Sequence, residues 1–461
     1  MKKYLILFIF TLLLLPSLSF SEDIYVAQTE QGGGAGTSCA EAESAAWFNT
    51  AENWGGGAGE IDPGDTVYLC DDGGNFTVTL LPPSSGSSGS PVTIKNAPGE
   101  SPVIDGGDSR SRLIDIQDKD YLTFDGIQMQ NAASGSASVY LTSGSTGITI
   151  KNCTIYHPRG RGFASTGAVN VTIQNNTFDT TVIDNEYEAD NLYMQNGGGG
   201  DGHIIEGNEF YEHQSGSYID GIQTYDEDGP MYIRNNYFYS DTAASSGDSM
   251  QIQLENGSGD FYVIGNVVYN SVEPTNTVVF NSTDADYHIY NNTIVNKAWT
   301  AVRLTRTPNS LVAKNNIFHS TDNVCIRSIQ AVTNCTFENN LYYHPGSAYV
   351  ADVIYTDRAW AYWTGTYGFD SPVGYEEDPL VNNTTAGSVD LRLRESSSGV
   401  DGGEDLGGSY DYGIAPTATW PDPTIVSQGD YGAGWEIGAY VYIPYNGAPL
   451  MVRNFRIIKW Q

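Results

Sequence analysis

The chain has 461 residues and a formal net charge of −34 at pH 7. Because phosphate binding requires basic patches, this charge excludes nucleic acid as an expected partner. The acidity fits solubility in salty surroundings, and carboxylates are also the oxygen ligands that calcium prefers. Tyrosine and glycine are abundant while only 16% of the residues are charged, which agrees with a secreted β protein.

Residues 1–21 have the three parts of a secretory signal. Lys2 and Lys3 form the positive end, Tyr4 to Leu15 the apolar run, and Ser19-Phe20-Ser21 a cleavage site between small residues. The apolar run is shorter than the roughly 20 residues that span a membrane. We therefore expect cleavage near Ser21, export to the extracellular space or periplasm, and no membrane association afterwards.

Residues 22–62 differ from the rest and are expected to form an N-terminal cap. Ser38 and Glu41 have the spacing of a capping box, which predicts a short helix from near Ser38 to Thr50. A helix laid over the end of stacked strands would block pairing at that edge.

Five cysteines in an exported chain indicate some disulfide pairing. Cys39 and Cys70 flank the first segment and are the expected pair. Cys325 and Cys335 are a second possible pair, whereas Cys153 is expected to be a buried thiol.

A repeat extends from about residue 148 to residue 342. Its mark is a two-residue bend, usually Asn-Asn, that recurs after 23 to 32 residues. The flanking runs, such as Val171-Thr172-Ile173, are short and alternate with a period of two, so each repeat is expected to consist mainly of strands. A repeat of this size without helical periodicity predicts a β-solenoid.

The asparagine pairs have a physical reason. Asparagine tolerates the left-handed backbone that a sharp bend needs, and stacked amides can donate and accept along the stack. We therefore expect one inward ladder along the solenoid. Its members are Asn176, Asn208, Asn236, Asn266, Asn292, Asn316 and Asn340.

Both ends of the chain carry further motifs. They are Gly64-Asp65-Thr66-Val67-Tyr68-Leu69, Gly89-Ser90-Pro91-Val92-Thr93-Ile94, Pro98 to Gly106, Asn340-Leu341-Tyr342-Tyr343, Trp363, Asp370-Ser371, Asp378-Pro379-Leu380 and Ile437-Gly438-Ala439-Tyr440. With these motifs the chain resembles secreted bacterial right-handed parallel β-helix proteins of the pectin-lyase-like superfamily. The resemblance implies an all-β fold, a three-sheet parallel solenoid of about ten coils. Residues 63–345 would form the β-helix and residues 346–461 the closing coils and an irregular cap, in a monomer.

In proteins of this superfamily that cleave polysaccharides, the site generally lies on the first strand of each coil and on the loops before it. The first strands are assigned here to residues 191–194, 221–224, 249–252, 277–280, 301–304 and 325–327. The side chains expected to point inward are those of Leu192, Ile222, Met250, Val278 and Val302. The side chains expected to point outward are those of Tyr193, Gln223, Gln251, Arg303 and Arg327.

Three aspartates, Asp190, Asp220 and Asp248, precede three successive first strands on this assignment. Neighbouring rungs lie about 4.8 Å apart, which suits a shared cation such as calcium. Alternate rungs lie roughly 9.6 Å apart, near the separation of the acid and base in inverting glycosidases. The alternative is a structural ladder, because aspartate commonly begins turns.

Other candidate residues surround these aspartates. His213 is a candidate acid or base, or one of several histidines with a repeated structural role. Tyr193 and Tyr225 offer faces for sugar stacking. Gln223 and Gln251 would bind substrate, whereas Arg303, Arg306 and Arg327 would either meet sugar carboxylates or sulfates or balance the surplus of acid.

Three hypotheses about function remain, all with a polysaccharide as partner. The favoured one is a polysaccharide lyase that removes the proton α to a carboxyl group of an acidic glycan, with calcium on the aspartates as a possible aid and an arginine, tyrosine or histidine acting. The second is an inverting glycoside hydrolase that uses two of the aspartates. The third is a non-catalytic adhesin or glycan-binding surface protein, for which the fold alone suffices.

Overall fold

The computed structural model describes residues 21–57, 59–142, 144–180, 190–197, 202–211, 220–240, 250–271 and 277–443. The described strands form three long sheets of 11, 13 and 11 strands, and successive coils add one strand to each sheet. Pairing between coils is parallel throughout the solenoid. The expected three-sheet parallel β-solenoid is confirmed, with little helix in the described residues.

The sheets are named by the order in which each coil visits them. The first sheet contains Ile114–Ile116, Ala137–Leu141, Arg161–Thr166, Leu192–Gln195, Ile222–Tyr225, Ile252–Glu255, Val278–Asn281, Val302–Leu304, Ile326–Ser328, Ala351–Val353 and the antiparallel Asp357–Arg358. The second sheet contains Asp23–Ala27, Glu43–Ser44, Thr66–Leu69, Val92–Asn96, Leu122–Asp125, Thr149–Lys151, Thr172–Gln174, His203–Glu206, Met231–Arg234, Ser258–Ile264, Asp284–Tyr290, Ser310–Lys314 and Cys335–Glu338.

The third sheet faces the closing segment of the chain. It contains Val103–Asp105, Gln128–Gln130, Thr154–Tyr156, Thr177–Asp179, Glu209–Tyr211, Tyr237–Ser240, Val267–Asn270, Thr293–Asn296, Ile317–Ser320, Leu341–Tyr343 and Tyr375–Glu376. Two small antiparallel pairs follow, Val381–Asn383 with Asp390–Leu393 and Tyr412–Ile414 with Ile425–Ser427. The helices are Ala45–Phe48 and Trp360–Gly365, and the 3-10 turns are Cys39–Glu41, Ala51–Asn53 and Gln428–Asp430.

The interior is filled because alternate residues of every strand point inward. Along the first sheet, Ile222, Ile252 and Val278 lie opposite one another on successive coils and are buried. Along the third sheet, the rings of Phe178, Phe210 and Phe238 stack with centroids 5.0 and 4.6 Å apart. Inward side chains of the same type therefore pack against each other on successive coils. The burial of this apolar surface is the main favourable term in folding.

The N-terminal cap differs from its expected form. The helix covers only Ala45–Phe48, and its first turn is capped by Ser44, whose hydroxyl accepts the Trp47 N–H at 3.1 Å. Glu41 instead accepts the N–H of Gly33 at 2.8 Å, outside any capping box. The helix expected from Ser38 is therefore wrong in extent and in its cap.

The cysteines divide into one bonded pair and three buried thiols. Cys39 and Cys70 form the expected disulfide, which ties the cap to the end of a second-sheet strand. Cys153 is a buried thiol as expected. Cys325 and Cys335 are not joined to each other, and burial raises the pKa of both thiols to about 12.

The asparagine ladder is confirmed and continuous from Asn176 to Asn340. At a typical rung, Asn208 Nδ2 donates to Ile173 O at 2.8 Å and to Asn236 Oδ1 at 3.0 Å, and that Oδ1 also accepts the Asn208 N–H. The residue before each rung takes the left-handed conformation, as at Asn235 with φ of 55°. The side chains thus satisfy backbone groups that the bend takes out of the sheets.

Asp370 ends the ladder. Its Oδ1 accepts both the N–H and the Nδ2 of Asn340, at 2.9 and 3.0 Å, in the place of one more asparagine. Its Oδ2 accepts the Tyr342 hydroxyl at 2.8 Å and Trp363 Nε1 at 3.1 Å. Burial raises the pKa of Asp370 to about 6, although all four hydrogen bonds oppose that rise.

The closing segment runs back along the solenoid over the outer face of the third sheet. Val381, Leu391 and Ile437 belong to one buried cluster with Tyr269 and Leu341 of that sheet. The segment therefore covers a side of the solenoid as well as following its last coil. No helix among the described residues is long and apolar enough to cross a membrane.

We expect Asn236→Ala to lower the free energy of unfolding by about 1–3 kcal/mol, the cost of leaving buried hydrogen-bonding groups unpaired. Asn236 bonds to the rungs on both sides, so its loss interrupts the ladder at its middle. Chemical denaturation of the purified variant measures this change. Asn382→Ala, at an exposed asparagine of the closing segment, is the matched control. Equal stability of both variants would contradict the ladder's role.

Candidate functional site

Two rows of side chains point outward from the first sheet, and we call them the first-sheet surface. One row is Tyr193, Gln223, Gln253, Val279, Arg303, Arg327 and Asp352. The other row is Gln195, Tyr225, Glu255 and Asn281. Because strands pair in parallel register, each row is a straight line of side chains about 4.8 Å apart.

Glu255 is the carboxylate at the middle of this surface, and it was not among the residues predicted from the sequence. Its Oε1 accepts from Asn281 Nδ2 at 2.7 Å and its Oε2 from Gln223 Nε2 at 3.3 Å. These bonds join three coils and fix the direction of the carboxylate. The side chain is partly accessible, so it can meet a ligand laid over the sheet.

The omission has a simple cause in the register. The strand runs from Ile252 to Glu255 instead of over residues 249–252, and its register is two residues later, because Ile252 rather than Met250 is the inward residue opposite Ile222. The expected outward position of Gln251 is wrong, because Gln251 is buried and Gln253 takes the place beside Gln223. The correct register could have been predicted from the distance to the next bend, because Ile252 precedes Gly265 by as many residues as Ile222 precedes Asn235.

Asp190 and Asp220 lie side by side on adjacent rungs and are buried. Asp190 Oδ1 accepts the Asp220 N–H at 3.0 Å, and Asp220 Oδ1 accepts the Met250 N–H at 2.7 Å. The third rung is therefore Met250. Asp248, two residues earlier in the sequence, lies outside the described residues.

The contacts of Asp190 are those expected if the aspartates form a structural ladder. Arg161 Nε lies 3.0 Å from Asp190 Oδ2, so an arginine and a backbone N–H already bind this carboxylate. Both oxygens of Asp190 therefore already accept from protein groups. Among the described residues, the one group with three potential metal-ligand atoms together is Cys39, Asp72 and Glu100, and Cys39 is bonded to Cys70.

The three expected arginines do lie near one another on the later coils. Arg303 and Arg327 are opposite each other in adjacent strands, and Arg306 Nε donates to Asn281 Oδ1 at 3.1 Å. The Arg327 guanidinium lies 4.9 Å from the Trp299 ring centroid and pairs with Asp352 at 3.4 Å. The Arg303 Nε is buried without a hydrogen-bond partner in the described structure.

The two candidate stacking tyrosines differ in accessibility. The ring of Tyr193 is covered by the Arg161 guanidinium at 3.9 Å, and its hydroxyl donates to Gln195 Oε1 at 2.7 Å. Tyr225, beside Glu255 in the second row, is 40% exposed. Tyr225 is thus the more accessible aromatic face. His213 lies outside the described residues.

A second acid that the sequence did not suggest is Glu227, which is wholly buried with His203 in the interior. Glu227 Oε2 lies 3.7 Å from His203 Nε2, and His203 Nδ1 accepts the Val171 N–H at 3.4 Å. Burial raises the pKa of Glu227 to about 8 and lowers the pKa of His203 to about 4. Both side chains are therefore mainly neutral at pH 7.

Comparison with known proteins agrees with this geometry. The model of the right-handed β-helix region matches residues 103–268. The crystal structure of pectate lyase Pel9A is 16% identical, with a TM-score of 0.54, and the match covers 92% of this chain and 97% of that chain. The chain is therefore a right-handed parallel β-helix protein with a pectate lyase-like fold, as the resemblance implied.

Two further solved structures are more distant. The GH136 lacto-N-biosidase from Eubacterium ramulus is 12% identical, with a TM-score of 0.42 over 78% of this chain and 68% of that chain. A rhamnogalacturonan lyase is 11% identical, with a TM-score of 0.43 over 70% of this chain and 82% of that chain. No curated protein sequence matches the chain.

The Glu227 pair predicts a pH dependence of stability. The pKa of Glu227 is about 8 in the folded protein against 4.5 ordinarily, so its contribution to stability is full below about pH 4.5 and is lost as pH rises through 8. Glu227→Gln keeps the shape and removes this loss. The difference in unfolding free energy between the variant and the wild type should therefore rise, in favour of the variant, by on the order of 3 kcal/mol between pH 5 and pH 9.

Denaturation curves at several pH values measure the difference between the two proteins. Other buried acids titrate in both proteins alike and cancel in the comparison. Glu52→Gln, at an exposed glutamate, should follow the wild type. A Glu227→Gln curve parallel to that of the wild type over this range would contradict the assigned burial effect.

Proposed function

We propose that this protein is a secreted, carbohydrate-active β-helix protein that cleaves an acidic polysaccharide by β-elimination along the first-sheet surface. The observation that carries the proposal is the arginine group. Arg303 and Arg327 are paired on the outer face of the first sheet, and Arg306 donates to Asn281, which in turn donates to Glu255, in a chain whose net charge is −34. An acidic glycan is the ligand class that such a group attracts.

The surface has the chemistry to hold a uronate chain. The fork of an arginine side chain matches a carboxylate bidentately, and Arg303 and Arg327 occupy neighbouring positions of one outward row. Gln223, Gln253 and Glu255 supply donors and acceptors for sugar hydroxyls on neighbouring rungs. The glycan would lie across the strands, parallel to the solenoid axis.

Elimination from a uronate needs two things that this surface offers. A base removes the proton α to the carboxylate, the electron pair forms a double bond, and the departing glycosidic oxygen takes up a proton from solvent. Pairing the carboxylate with arginine stabilises the negative charge that develops on it. Tyr225 is the candidate for the base among the described residues, and His213 is the second candidate. No step here uses calcium, and dependence on calcium stays a prediction that a chelator tests.

Two observations support secretion. The N-terminal residues have the order of a cleaved signal, and the Cys39–Cys70 disulfide is a bond that persists in oxidising compartments. The likeness to pectate lyase Pel9A supports a polysaccharide as the ligand, because the two chains share the fold over nearly their full lengths.

The hydrolase and the non-catalytic glycan binder are outcomes of the assay. Inverting hydrolysis requires two carboxylates about 6.5–9.5 Å apart, whereas Asp190 and Asp220 occupy adjacent rungs. Incubation with polygalacturonate and alginate separates the three. Ultraviolet absorbance of an unsaturated product supports the lyase, new reducing ends without it support the hydrolase, and binding without either product supports the binder.

We expect Arg303→Ala to lower kcat on the cleaved glycan by about 10²-fold, as for loss of one preorganised charge donor. Initial rates from the ultraviolet absorbance measure this. Arg394→Ala on the closing segment is the matched control and should leave the rate unchanged. If Arg303→Ala turned over at the wild-type rate, the carboxylate of the glycan would have to bind away from the arginine group.

Asp220→Asn in the same assay separates a structural role of Asp190 and Asp220 from a catalytic one. Asparagine keeps an oxygen for the Met250 N–H but removes the charge. We expect turnover close to that of the wild type, because the hydrogen bonds are structural. A loss of about a hundredfold in a folded variant would instead assign Asp220 the acid–base role suggested by the sequence.

A further inference from the structure

The last described coil of the first sheet ends in a tight hairpin. Ala351–Val353 pairs antiparallel with Asp357–Arg358, and Val353 and Thr356 exchange backbone hydrogen bonds of 2.9 and 3.2 Å. The two-residue turn between them is Ile354-Tyr355, with φ of 53° and 55°. This is the conformation of a type I′ turn, which favours Asn-Gly. We call Ile354 and Tyr355 the apolar tip.

The apolar tip combines two unfavourable features. A left-handed backbone costs an isoleucine or a tyrosine more than it costs glycine or asparagine. The side chains gain little burial in return, because Ile354 is 52% exposed and Tyr355 is 81% exposed, the highest value for a large apolar residue in the described part of the chain. Packing within the described chain does not explain the tyrosine at this turn, which makes its ring a candidate contact for a ligand.

The position of the tip relates it to the first-sheet surface. Asp352, just before it, is opposite Arg327 in the row that contains Arg303, and the Ile354 N–H donates to Ser328 O at 2.8 Å. The tip is therefore continuous with the first-sheet surface at its C-terminal end. A glycan held along the arginines would reach an exposed tyrosine ring next.

We propose that the apolar tip is a subsite for the acidic polysaccharide, in which Tyr355 packs on the apolar face of a sugar ring just beyond the arginine group. The inference rests on the proposed function and adds a binding element at one end. An exposed tyrosine suits this role because its rigid ring offers a large contact area at low entropic cost. The hairpin holds the backbone of Tyr355 three residues after Asp352, which is paired with Arg327.

The test is the double variant Ile354→Asn/Tyr355→Gly, which gives the turn its preferred residues. We expect its melting temperature to rise, because the backbone strain is relieved. We expect its affinity for polygalacturonate or alginate oligosaccharides, whichever the wild type binds, to fall by about tenfold, the equivalent of one aromatic contact. Calorimetric titration measures the affinity, and the opposite changes in stability and binding exclude misfolding as the cause.

Tyr412→Ala is the matched control, because Tyr412 is 53% exposed in a hairpin of the closing segment. It should bind oligosaccharide as the wild type does. Unchanged affinity of the double variant would overturn the subsite while leaving the proposed function intact. Failure of the wild type to bind any acidic glycan would overturn both. Loss of self-association in sedimentation, with glycan affinity unchanged, would make the tip a contact between copies and also overturn the subsite.

Discussion

The whole solenoid depends on how one bend satisfies its backbone. A chain that turns sharply in every coil removes N–H and C=O groups from sheet pairing, and buried groups without partners cost about 1–3 kcal/mol each. Here a single side-chain type solves the problem. Each inward asparagine bonds the backbone of the coil before it and the amide of the coil after it, as Asn236 does with Ile205 and Asn266. Loss of one asparagine therefore removes hydrogen bonds to both neighbouring coils.

This constraint decides where the chain is free to vary. The bend between the second and third strands is fixed by the ladder, so the length differences between repeats must arise elsewhere in the coil. The closing segment covers the third sheet with apolar side chains. The outer face of the first sheet instead carries two straight rows of residues that are polar, charged or aromatic except at Val279. Structure and chemistry are thus assigned to different sides of the same coil.

The sequence predicted the parts that repeat. The strand alternation, the ladder and the Cys39–Cys70 pair all followed from local pattern and chemistry, and the structure agrees. The strand at Ile252 was misplaced because the preceding residues, Met250-Gln251, alternate in the same way. Periodicity alone cannot fix a register when two frames have the same pattern. The distance to the next bend decides which of the two registers is correct.

The parts that do not repeat were beyond pattern analysis. Glu227 follows Asp226 in a run that resembles a solvated turn, yet it is fully buried beside His203. The return of the closing segment over the third sheet depends on contacts between residues more than a hundred positions apart, such as Tyr269 with Thr384. Asp370 replaces asparagine at the end of the ladder because its second oxygen can also receive Tyr342 and Trp363.

Electrostatics joins the fold to the proposed ligand. A chain with a net charge of −34 repels an acidic polysaccharide at a distance, and this repulsion is screened beyond about 8 Å at physiological salt. Attraction must then come from close contact, which requires several cations and other contacts in one line. Parallel strands provide that line, since Arg303 and Arg327 occupy one row and the apolar tip continues it. Selectivity would follow from the spacing of these rungs rather than from the overall field of the protein.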